Sequence, residues 1–130
     1  MKANDYRYFT LPNPPAPFVH VALALPGGTP SQDNLAAQLD TGAFKTVIPL
    51  EHAAALRLEK LREQPAEGLN GTVVLLATYL VELTVDQLST ITLEVLASDG
   101  ESHILLGRDV LNRYRIVLDG PAQTLRMEET

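Results

Sequence analysis

The chain has 130 residues, 45% of them hydrophobic and 20% charged, which suffices for one compact domain with its own core and is too short for two. With 16 acidic against 10 basic residues the formal charge is -6 and the pI near 4.9, so the positive field of a nucleic-acid or anionic-membrane binder is missing. The absence of cysteine removes disulfide frameworks, thiolate metal sites, iron–sulfur clusters and thiol nucleophiles together.

Met1 to Thr10 mixes Lys2, Asn4, Asp5, Tyr6 and Arg7 and lacks the apolar core of a signal peptide. Leu11 to Phe18 carries prolines at positions 12, 14, 15 and 17, whose locked φ and missing N–H keep such a segment out of helices and central strands. Residues 1–17 are therefore expected to form an extended arm and 18–130 a single domain. Phe18 to Leu25 alternates, with Val19, Val21, Leu23 and Leu25 on one face of a strand, and Pro26-Gly27-Gly28-Thr29-Pro30 ends it in a turn. Leu35 to Leu39 is a second apolar run and Thr46 to Ile48 a β-branched one. Pro49 introduces an Ala/Leu-rich stretch, Leu50 to Leu58, that suits a short helix.

Gly68-Leu69-Asn70-Gly71 signals a hairpin tip. After it Val73, Leu75, Ala77, Tyr79, Val81, Leu83 and Val85 sit at alternate positions, and Ile91, Leu93 and Val95 repeat the pattern beyond a turn at Asp86 to Ser89. Arg108 to Tyr114 suits about two helical turns. Arg115 to Leu118 and Thr124 to Met127 flank the turn Asp119-Gly120-Pro121. The longest apolar stretch, Val73 to Val81, is broken by Thr78 and falls well short of the roughly 20 residues that cross a bilayer. The expectation is a soluble, cytoplasmic, mostly β domain with two short helices.

Several chemistries have no candidate. His20, His52 and His103 stand far apart, without a second ligand at helical metal-binding spacing. No G-x-S-x-G elbow occurs, and the Gly27-Gly28 turn has neither the lysine nor the frame of a phosphate-binding loop. No metal or other cofactor is expected.

Leu39-Asp40-Thr41-Gly42-Ala43 places a carboxylate after apolar residues in a glycine-opened turn. Alone, Asp40 reads equally as an Asx-turn closing a strand and Thr41 as a hydroxyl capping it. Farther on, Ile104-Leu105-Leu106-Gly107-Arg108-Asp109-Val110-Leu111 is an apolar strand that passes through glycine into a helix. In order and spacing, L-D-T-G-A, the hairpin tip about 30 residues later and L-L-G-R-D-V-L together resemble the retropepsin-like aspartic proteases, the family of retroviral proteases and their bacterial relatives.

The resemblance covers roughly Phe18 to Met127 and implies a closed β-barrel-like fold with a flap hairpin. It implies that Asp40 is the catalytic carboxylate, that Thr41 bonds across to its counterpart, that Gly42 opens the turn, and that Leu105-Leu106-Gly107 packs beneath it. The flap would be Lys60 to Thr78, with Leu69, Asn70 and Gly71 near its tip. Ala43, Val47, Ile104 and Leu105 would face substrate. Hydrolysis by this route needs a base to activate water and an acid to protonate the carbonyl oxygen, supplied by two carboxylates sharing a proton. One Asp-Thr-Gly occurs in the chain, so the second carboxylate must come from another copy, and the implied partners are a second copy and a peptide or protein substrate.

The chain departs from retroviral members where acidic residues commonly follow D-T-G-A: here Phe44 and Lys45 stand. Arg108 thereby loses its usual local partner, and Asp109 is left to serve the helix N-terminus. The proline-rich arm cannot supply an uninterrupted strand to a dimer sheet, which leaves the hairpin Arg115 to Met127 as the pairing element. The competing reading is a binding or dimerisation module of the same fold that performs no hydrolysis.

Overall fold

A computed structural model describes residues 2–68 and 70–130. In chain order its elements are β1 (Ala3–Arg7), β2 (Phe18–Ala24), β3 (Ser31–Leu39), β4 (Val47–Pro49), α1 (Leu50–Ala55), β5 (Lys60–Glu67), β6 (Val73–Val85), β7 (Ile91–Ser98), β8 (Ile104–Leu106), α2 (Arg108–Leu111), β9 (Tyr114–Asp119) and β10 (Thr124–Glu129). Six of the strands run β2-β3-β8-β4-β7-β6 around a ring that the β2–β6 pairing closes. The molecule is thus a mostly β, closed barrel with two short helices. No helix among the described residues is long and apolar enough to cross a membrane.

The 13-residue β6 explains the long alternation in the sequence. Its last residues, Glu82 to Val85, pair with β2 and its middle with β7, both within the barrel. Its first residues, Val73 to Ala77, pair with β5 alone, on the same edge that β2 takes lower down. Val81, Leu83 and Val85 are accordingly buried, while Val73 and Leu75, at the same period-two positions, are 60% and 63% exposed. One alternating face leaves the core where its strand leaves the barrel.

Val19, Val21 and Leu23 of β2 face Val81, Leu83, Val85, Ile91, Leu93 and Val95 inside the ring. Leu56, Leu106 and Val110 close the ends of this core. Each such side chain contributes about 1.5–3 kcal/mol by burial. α1 ends at Ala55 and α2 spans only 4 residues, shorter than the Arg108 to Tyr114 stretch suggests, because β9 recruits Tyr114 into a strand.

Within the expected extended arm of residues 1–17, one stretch is a paired strand. Ala3–Arg7 pairs antiparallel with β10, giving a three-stranded sheet ordered β1-β10-β9. The Tyr6 hydroxyl donates to Asp86 in the turn after β6, and burial first, the Asp86 hydrogen bond second, push the phenol well above its ordinary pKa. Pro12, Pro14 and Pro15 lie in a loop closed by mutual backbone bonds between Phe9 and Ala16, with Phe9 stacked on Phe18 at a centroid distance of 4.4 Å.

Candidate active site

Asp40 follows β3 directly, and its amide donates to the Leu106 carbonyl of β8 at 3.0 Å. Parallel pairing of Gln38 with Leu105 and Leu39 with Leu106 brings the two sequence motifs side by side. The Asp40 carbonyl accepts from Ala43 N at 3.1 Å, and its carboxylate oxygen Oδ1 accepts from Gly42 N at 3.0 Å. The Asx-turn is therefore present, and it orients the half-buried carboxylate rather than competing with a chemical role. A side chain on Gly42 would crowd Asp40 Oδ1 at 3.2 Å.

α2 locks this loop from below. The Arg108 amide donates to the Ala43 carbonyl and its guanidinium to the Thr41 carbonyl, each at 2.8 Å. Arg108 thus holds the Asp40 turn through a backbone carbonyl. Asp109 does more than serve its helix. It accepts from Val110 N at 2.9 Å, and also from Thr46 N at 3.0 Å and Thr46 Oγ1 at 2.8 Å. The fully buried Thr46 hydroxyl in turn accepts from Gly107 N at 3.1 Å. Gly107 lies so close to the loop that a Cβ would stand 2.5 Å from the Lys45 carbonyl carbon and 2.9 Å from the Ala43 oxygen.

Above the loop is a cleft of about 680 Å³. Its floor includes Asp40, Gly42, Ala43, Phe44, Lys45 and Val47, its roof Ala66, Glu67, Gly68, Val74 and Leu76 from the β5–β6 hairpin, and its wall Leu96, Ser98, Glu101 and Leu105. Ala43, Val47 and Leu105 thus face the cleft with Asp40 and Gly42. Ile104 does not: its side chain is fully buried in the barrel core, the opposite face of the three-residue β8. Thr41 is exposed beside the cleft. Asn70 and Gly71 stand beyond the roof residues that line it, Asn70 Oδ1 accepting from Thr72 N at 3.1 Å and Gly71 taking a φ of +79°. Leu69 lies outside the described residues.

Sequence reading missed Thr46, which it took only as part of a β-branched run, and the cluster that Lys45 joins. The Lys45 ammonium donates to Gln64 Oε1 of β5 at 2.7 Å and lies 3.3 Å from Glu94 Oε1 of β7. Arg62 of β5 holds Glu94 with two bonds of 2.8 and 2.9 Å. The Arg62 guanidinium foremost, with Lys45 adding to it, holds the Glu94 carboxyl down at about 2. No signal in the linear order joins positions 45, 62, 64 and 94. Among the described residues no group of three or more His, Cys, Asp or Glu is arranged to hold a metal ion.

The family model described as "gag-polyprotein putative aspartyl protease" matches residues 31–113, from the start of β3 to just past α2 and more than half of the chain. The chain belongs to this aspartyl protease family. Solved structures place the retropepsin-like fold on the same footing. The protease of EIAV, solved in complex with the inhibitor HBY-793, is 26% identical with a TM-score of 0.56, covering 75% of this chain and 86% of its own. A retropepsin-like aspartic protease from Rickettsia conorii is 13% identical with a TM-score of 0.62, covering 97% and 91%. The foamy viral protease-reverse transcriptase, solved with double-stranded DNA, matches with a TM-score of 0.54 at 17% identity, over 76% of this chain and 16% of that one. No curated protein matches the chain.

Proposed function

We propose that this retropepsin-like protein is a homodimeric aspartic endopeptidase whose catalytic centre is a pair of Asp40 carboxylates, one from each subunit. The observation that carries this reading is the Asp40 turn itself: a carboxylate oriented by Gly42 N, braced from β8 and α2, on the floor of a cleft roofed by a hairpin. One such turn occurs per chain, and one carboxylate cannot act as base and acid at once.

In the assembled pair the ionised carboxylate takes a proton from water as the water oxygen attacks the scissile carbonyl carbon. The protonated one gives its proton to the carbonyl oxygen. The tetrahedral adduct then breaks at the C–N bond, with a proton delivered to the leaving amine. Thr41 from each copy braces the pair across the axis. Val47, Leu105 and the roof residues Val74 and Leu76 receive apolar substrate side chains, while the tip with Asn70 and Gly71 closes over the peptide.

The pairing element is the free edge of β9. Strand order β1-β10-β9 leaves it unpaired among the described residues, and Val117 and Leu118 on it are 45% and 51% exposed. The supporting observation is that β9 follows α2, which braces the Asp40 turn, so a two-fold β9–β9 pairing would act on the segment that carries that brace.

The test is peptide-library cleavage between acidic and neutral pH by the wild type and Asp40→Asn, with mass in solution by light scattering. The wild type is expected to cleave with a bell-shaped pH dependence, since the singly protonated pair is the competent form. Asp40→Asn is expected to lose cleavage while staying dimeric. Undiminished cleavage by a folded Asp40→Asn protein, or a fully active monomer, would overturn the reading. Failure of both proteins on a broad library would favour a module that binds without hydrolysing.

A further inference from the structure

Lys45 stands where the retroviral pattern has an acidic residue, and the structure gives it a position between two parts of the cleft that must be held in register. Its backbone belongs to the floor, packed so tightly under Gly107 that no Cβ fits between them. Its ammonium belongs to the roof, donating to Gln64 on β5. Side chains of Lys45 and Glu94 are only 18% and 22% exposed, so the contact is largely shielded from solvent and from salt. Glu94 is simultaneously gripped by Arg62, two residues before Gln64 on the same strand. Floor, β5 and β7 are therefore joined at one point.

Beyond Gln64 the described residues of the hairpin show no comparable fastening to the rest of the molecule. Residues 65–67 and 73–75 are held by the β5–β6 ladder, and Val73, Val74 and Leu75 are each about half exposed or more. Lys60–Gln64 is thus anchored and the part beyond it is not, which puts the hinge of the roof at Gln64–Pro65.

We infer that Lys45 is a positioning residue that ties the floor of the cleft to the root of the hairpin, setting where the roof rests over Asp40 and where it bends. The inference about turnover rests on the endopeptidase reading; the inference about the hinge does not. The ammonium works through Gln64 and touches no reacting atom.

The experiment pairs amide hydrogen exchange on the free protein with kinetics on the best library peptide. Lys45→Met keeps the apolar stem and removes the charge, leaving Glu94 paired with Arg62. It is expected to speed exchange in the hairpin, residues 66–68 and 73–76, by about tenfold, the size of one charge-assisted hydrogen bond, while amides of Val81 to Val85 in the barrel stay unchanged. KM is expected to rise by a similar factor with kcat within about twofold. Lys45→Arg is expected to restore both, and Gln64→Leu, which cuts the same contact from the roof, to reproduce Lys45→Met and to serve in its place if that variant does not fold.

Hairpin exchange unchanged in Lys45→Met or Gln64→Leu would overturn the inference. Equal acceleration in hairpin and barrel would also overturn it, since that is general loss of stability. If the wild type cleaves no peptide, the endopeptidase reading fails and the exchange result still decides whether Lys45 is the tie.

Discussion

The floor and the roof of the cleft are built on opposite principles. Between Asp40 and Asp109 the chain is cross-braced by backbone bonds to Leu106 and Ala43, by the buried Thr46 hydroxyl and by a carboxylate with three protein donors. The described residues of the hairpin tip, Glu67, Gly68 and Asn70 to Val73, show their own turn bonds and little else, and the flanking valines and leucine face solvent. The floor spends sequence on rigidity, so that a carboxylate keeps one orientation; the roof leaves its apolar side chains in solvent, and under the proposed function that is where a substrate chain would pass. Substitutions in the two regions should therefore fail in different ways, the first in stability and the second in turnover.

The largest effect is expected at Gly107. An alanine there would push its Cβ to 2.5 Å from a backbone carbon that Thr46 and Ala43 hold in place, so the floor must shift. Gly107→Ala is expected to lose about 3 kcal/mol or more of stability, read as a lower urea midpoint at unchanged slope. A midpoint within error of the wild type would show that the floor yields as easily as the roof.

Gly71→Pro makes the opposite case. Gly71 has a φ of +79° and donates its N–H to the Gly68 carbonyl at 3.0 Å, whereas proline fixes φ near -65° and has no N–H to give. Because the tip is exposed, global stability is expected to change by less than about 1 kcal/mol. Peptide kcat/KM is expected to fall on the order of 10- to 100-fold, as closure over the substrate is misdirected. Unchanged kinetics in the folded variant would place closure elsewhere.

The smallest effect concerns pH, and it tests the joint between the two regions. The folded-state pKa of Glu94, about 2, lies below its ordinary value of 4.5. The stabilisation it supplies is therefore complete above that ordinary value and is lost as pH falls through about 2. The difference in melting temperature between wild type and Glu94→Gln is expected to be constant from pH 7 to 5 and to shrink progressively toward pH 2. A difference that instead collapsed between pH 7 and 5 would mean that Glu94 is not held by Arg62 and Lys45.

How much of this was readable in advance follows the same division. The Asp-Thr-Gly turn, the Leu-Leu-Gly strand and the hairpin are each encoded by neighbouring residues, and their order along the chain carried the fold. The opposite orientations of Ile104 and Leu105 were not readable, because a three-residue apolar strand shows no alternation that distinguishes core from cleft. Strand β1, with the sequence ANDYR, has no periodic apolar face; its conformation is dictated by β10, more than a hundred residues away. Asp109 looked like a helix residue because its main partner, Thr46, lies 63 positions upstream. The Lys45 cluster drew on four separated segments, and charge at position 45 read as a defect of the pattern when it is a substitute fastening.

The capture of β1 by β10 bears on how two copies would come together. Each chain pairs Ala3 with Glu128 and Arg7 with Thr124 inside itself, so its three terminal strands are joined before any encounter and the β9 edge is left to pair. Assembly of the proposed dimer is then a collision of two completed bodies, with no exchange of ends and nothing to unthread on separation. Dilution should release folded, silent monomers rather than unfolded chains, and the concentration of the protein would act as a reversible throttle on its own activity.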